Sequence, residues 1–230
     1  MAEPVVVNQA IAVSSGSAAS VTTSGVTTTS GNLVVVAVAA FSNIIGATPI
    51  TDNKSNTWNA AITSFGATEG WLALFYAENI TGGAAHTFTF TPSSSGFIAI
   101  AVIEIENMPT SSSLNHTATA TGTGSTLTAG PITADAGIRE IMVGAAALSD
   151  AGCSYPLDTL SAIKGFNFRH ANAGANNEGI IIAWTEVDDG DSRSFTAFRA
   201  VGDNDSVCIA GFKAADPAPG GGETSHAYAG

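Results

Sequence analysis

The stretch that most constrains this chain is "GNLVVVAVAAFS", residues 31–42, in which every position from Leu33 to Phe41 is apolar. A strand with one face in water alternates apolar and polar side chains, whereas a run that is apolar on both faces needs cover on both. The run is far shorter than the ~20 apolar residues of a spanning helix. Its valines are stiff at χ1 in the way that suits a pleated strand. "FIAIAVIEI", residues 97–105, has the same character. The fold must therefore hold at least two strands in the middle of a layered structure.

The run also recurs. "GIREIMVGAAALS", residues 137–149, reads as a worn copy of it. Laid along itself at an offset of about 107 residues, the chain matches in six consecutive segments. "NQAIAVSSG" from Asn8 meets "NHTATATGTG" from Asn115, and "SGVTTTSGN" meets "AGPITADAGI". The apolar runs follow, with Val36 against Val143 and Ala40 against Ala147, then Tyr76 against Trp184 and Phe88 against Phe195. Last come Ile100 against Ile209 and Ala101 against Ala210. Self-similarity at a fixed period is the mark of a repeated unit.

Each unit reads as short strands parted by turn chemistry such as "TGGA", "PSSSG" and "DDGD". In the first unit the strands are predicted near residues 4–14, 19–28, 32–42, 57–65, 71–78, 86–91 and 97–106. "HTFTFT" alternates, with Phe88 and Phe90 on one face. The predicted fold class is all-β, a β-sandwich of immunoglobulin-like or jelly-roll-like kind built by internal duplication of about 107 residues. The expected organisation is a first sandwich repeat at 1–108, a second at 109–214 packed on the first, and a Pro/Gly-rich tail at 215–230.

Composition narrows the partners. The chain has 230 residues, of which 11% are charged, with 7 basic and 19 acidic side chains and a net charge of −12. The basic residues are scattered, so a phosphate backbone or an anionic membrane is excluded as a direct ligand. Cys208 in "SVCIAGF" reads as a small buried hydrophobe, and Cys153 lies in the loop-like "DAGCSYP". "MAEPVVVNQ" has neither a basic nor an apolar region of a signal peptide, so synthesis in the cytosol without one is expected.

No spacing names a reaction. "TDNKSNTWN" gathers Asp52, Asn53, Asn56 and Asn59, which suits a tight turn better than calcium, because calcium prefers several carboxylates. "EVDDGDSRS" supplies Asp188, Asp189 and Asp191, a denser acidic group that misses the EF-hand spacing and reads equally as a hairpin. Glu104 and Glu106 share a strand face about 6.6 Å apart, near a glycosidase spacing, but one strand does not make a cleft and its solvated end explains them. The four histidines show no metal-binding spacing. Trp71 and Tyr155 are the aromatics left over for sugar contact. The reading is therefore no catalytic residue, no metal and no other cofactor. The tail, with Pro217, Pro219, His226 and Tyr228, reads as a flexible docking segment for a neighbouring subunit.

The doubly apolar strands, with "TDNKSNTW" between them and the ending "IAGFKAA", resemble Ala/Thr/Gly-rich β-sandwich modules of tailed-phage virion proteins and of secreted bacterial proteins. The likeness covers about residues 5 to 215. It implies a non-enzymatic capsid decoration (cement) or tail protein on the virion surface, acting as a homo-oligomer against the major capsid protein. A carbohydrate-binding or adhesion module is the alternative it leaves open.

Overall fold

The computed structural model describes residues 3–124, 126–148, 167–172, 179–188, 190–198 and 204–215, with side chains excepted at 167–172 and 198. It is all-β, with no helix among the described residues. Strands are numbered β1 to β17 in chain order. One five-stranded sheet runs β1 (Val5–Val13), β10 (Ile98–Glu106), β4 (Leu33–Ala40), β7 (Trp71–Ala77), β6 (Asn59–Phe65). The other runs β11 (Leu114–Gly122), β17 (Asp205–Lys213), β13 (Glu140–Leu148), β15 (Gly179–Val187), β14 (Asn167–Asn172). Every pairing within them is antiparallel.

The two sheets face each other across a shared inner core. Leu33, Val35, Ala37 and Ala39 of β4 and Ala99, Ala101 and Ile103 of β10 meet Val143, Ala145, Ile182, Trp184 and Cys208 from the second sheet. The intervening residues point the other way. Val34, Val36 and Val38 lie under a three-stranded layer, β2 (Val21–Thr22), β9 (Phe88–Phe90) and β5 (Ile50–Asp52), whose Phe88, Phe90 and Ile50 are fully or almost fully buried. A short pair, β3 (Val26–Thr28) with β8 (Gly83–His86), lies beside it. On the far side, β12 (Thr126–Thr133) and β16 (Ser192–Phe198) cover Met142, Ala146, Ile181 and Ile209. The molecule is thus four layers deep, and all eight positions of β4 are buried, as the unbroken apolar run requires. Each fully buried Leu, Ile or Phe contributes about 1.5–3 kcal/mol from desolvation.

The register amends the sequence alignment. Val36 faces the outer layer and Val143 the inner core. Ala40 and Ala147 likewise lie on opposite faces, since a slip of one residue turns a strand over. Phe88 and Phe195 do both lie in outer layers, and Tyr76 and Trp184 both pack toward the inner core. The strand predicted at 19–28 is two short strands, and Thr87 divides the one predicted at 86–91. β5 was not foreseen inside the Asx-rich segment.

Cys208 is a free thiol in the inner core, and burial pushes its pKa up to about 12. Contacts also tie the two halves of the chain at their ends. The Ser113 amide and hydroxyl both donate to Glu78, Arg139 bonds Glu3, and the Ala215 amide donates to the Asn107 carbonyl.

Candidate functional site

Three polar clusters are built into these layers. The first joins β3, β5 and β8. The Asp52 carboxylate accepts hydrogen bonds from the Lys54 and Asn56 amides and from the Trp58 indole, so the Asx-rich segment is the tight turn its composition indicated. Trp58 precedes β6, packs edge-on against Phe88 and is only partly buried. Behind Asp52 lies His86, wholly buried, with Nδ1 2.7 Å from the Thr28 hydroxyl and Nε2 3.4 Å from Asp52 without a well-aligned bond. Hydroxyl, imidazole and carboxylate stand in the order of a nucleophilic relay. All three are shut away, however, and the gap beside Thr28, lined by Asn8, Val26, Phe88 and Glu104, is too narrow for water. Burial holds the His86 pKa below its ordinary value, with Asp52 opposing. The imidazole thus hydrogen-bonds β8 to β3 through Thr28 and stands against Asp52 of β5.

The second cluster surrounds Glu104 on β10. The expected solvated face is wrong for this residue, which is 1% exposed. One carboxylate oxygen accepts from the Thr29 amide and the Asn32 side chain, the other from Asn8. Both oxygens are satisfied, which is the condition for burying a carboxylate. Glu106, opposite Val5 at the strand end, is only partly buried and does not share the cluster.

The third cluster is the counterpart of the second in the other sheet. β1 and β11 each carry a bulge, at Val7 and at Asn115. Beyond the bulges Asn8 pairs with Glu104, and His116 pairs with Gly211. Where the first sheet has Glu104, the second has a glycine, and the carboxylate comes instead from Glu140 on β13, the place that Asn32 holds before β4. A Cβ on Gly211 would stand 2.5 Å from Glu140 Oε2, so the glycine makes the room. Glu140 is wholly buried. Its Oε1 accepts from the Asn115 side chain and the Asp135 amide, while Oε2 has no hydrogen-bond partner among the described residues. Asp135, in the turn after β12, meets His116 Nε2 at 3.1 Å and Lys213 Nζ at 3.1 Å. The Lys213 contact first, then His116, holds the Asp135 carboxyl below its usual pKa. Donor atoms of His116, Asp135 and Glu140 lie within 4.8 Å of one another.

The residues singled out from sequence fall elsewhere. Asp188 pairs with Arg139 and Asp191 with Arg193, so these carboxylates serve separate guanidinium groups. Asp189 lies outside the described residues, as do Cys153, Tyr155 and the tail residues Pro217, Pro219, His226 and Tyr228. Trp71 is not a free platform: its ring packs on Gly66, where a Cβ would come within 2.7 Å. A cavity of about 200 Å³ beside β6, lined by Ile45, Ala60, Thr63, Ser64 and Phe75, is smaller than the usual ligand pocket. Sequence reading missed His86, Glu140 and His116 because their partners are distant in the chain. The signals were a histidine closing a strand of small residues and a glutamate opening an apolar run. Comparison of the chain with known protein families, curated proteins and solved structures finds no match.

Proposed function

We propose that this chain is a non-enzymatic structural protein of a virion surface. In this reading it is a capsid decoration or cement protein that associates with copies of itself and with the major capsid protein, without touching nucleic acid or membrane. Its two halves are read as a duplicated immunoglobulin-like or jelly-roll-like unit, supported by the matching strand orders of the two sheets and by the bulge in each first strand.

The observation that carries the assembly role is the character of the sheet edges. β1 ("VVVNQAIAV") and β11 ("LNHTATATG") are nine-residue edge strands with no Lys, Arg, Asp, Glu or Pro. Val5 and Val7 are 37% and 39% exposed. Proteins that must stay solitary blunt such edges with charge, proline or short length. Edges left in this state suit strand addition by a neighbour.

Light scattering on a sizing column tests this. The full chain is expected to run as a defined oligomer, and Val7→Lys to run as a monomer with an unchanged melting temperature. A truncation ending at Ala215, the last described residue, measures what the tail adds. A full chain that stays monomeric at every concentration, and does not co-sediment with capsids lacking it, would overturn the reading.

A further inference from the structure

We propose that His116, Asp135 and Glu140 form a binding site for a divalent first-row transition ion, with zinc as the reference case. The inference is independent of the assembly role.

The argument begins with the unpartnered oxygen. A buried carboxylate oxygen without a donor loses its hydration and gains nothing in return. In the first sheet the same place is closed, since Asn8, Asn32 and Thr29 give each oxygen of Glu104 a donor. In the second sheet Glu140 Oε2 is left over and lies above Gly211, the register partner of His116. Glu140, His116 and Asp135 each bring a ligand atom to within 4.8 Å of the others. His116 and Asp135 are part-exposed, so the cluster has a mouth to solvent with the buried carboxylate at its floor.

One imidazole and two carboxylates are a donor set that suits zinc and its neighbours, leaving a position for water. Donors around a zinc ion at ~2.1 Å stand about 3.4 Å apart, so a spread of 4.8 Å needs only side-chain rotation to close. The outer partners are in place as well. Asn115 and the Asp135 amide fix Glu140 from behind, the kind of support that orients a ligand. Among the described residues the Lys213 ammonium, a surface group on a flexible stem, sits on Asp135. A dication binding all three ligands displaces it.

The test is titration of the full chain, without any affinity tag, with Co²⁺ and then Zn²⁺. The expected result is one Co²⁺ per chain, visible absorption bands of an N/O site, and their loss on adding Zn²⁺. His116→Gln, at a part-exposed position that leaves the fold intact, should weaken binding at least about tenfold, and Glu140→Gln likewise. Lys213→Met should tighten it several-fold, because the competing ammonium is gone. Absence of saturable binding at one ion per chain overturns the proposal. So does full affinity in His116→Gln, or an unchanged affinity in Lys213→Met.

Discussion

Gly144 and Gly211 use the same missing side chain for opposite ends. Gly211 admits a carboxylate, while Gly144 admits a ring, since a Cβ there would stand 2.4 Å from the Phe195 ring. Phe195 is fully buried and cannot retreat without opening the outer layer. Gly144→Ala is therefore expected to destabilise by about 1–3 kcal/mol through overpacking, read as a lower urea midpoint with an unchanged slope. Phe195→Ala leaves a void instead and should cost about 3–5 kcal/mol. His86 adds a pH term. Its folded pKa is lowered by burial, while the unfolded value is 6.5. Above the unfolded value the imidazole is neutral in both states. Below it the unfolded chain takes up the proton first, so stability is lost as the pH falls toward the folded value. Urea unfolding at about pH 8 and about pH 5.5 should show that loss, and His86→Gln should reduce it. An identical slope in the variant would assign the loss to other groups.

At the level of elements, the interior was the legible part. "LVVVAVAA" and "IAIAVI" declare strands with two covered faces, and the structure places both in the middle of the first sheet. β7, Trp71–Ala77, falls where the sequence predicts a strand at 71–78. What stayed hidden depends on register. A one-residue bulge makes His116 the partner of Gly211, and no local pattern announces a bulge at Asn115. The Glu140 site requires three adjacent strands to come into line, from positions separated by 24 and 71 residues. The outer layers were legible only in fragments, because strands of two or three residues are too short to carry a period. Cys208 offers a direct probe of the central strands. On the inner face of β17, with its pKa at about 12, it should resist a thiol reagent in native protein. In a Cys153→Ser background, labelling at Cys208 should appear only when the sheets part, and its rate should follow unfolding measured by fluorescence. Prompt labelling without unfolding would mean that β17 opens locally.

For the whole molecule, the inner core decides behaviour. Residues from both sheets line it, and neither sheet can cover that face alone. The passage from one half to the other runs through Thr110, Ser111 and Ser112, which are exposed, before Ser113 is captured by Glu78. A backbone cut between Thr110 and Ser111 therefore severs little besides the chain itself. Such a protein should behave as a two-fragment complementation pair. Each fragment alone should be poorly soluble, because an entire apolar sheet face has lost its cover. Co-expressed, the two should reassemble into one particle with a single melting transition. Covalent continuity between the halves would then matter for how quickly they find each other, not for the structure they reach.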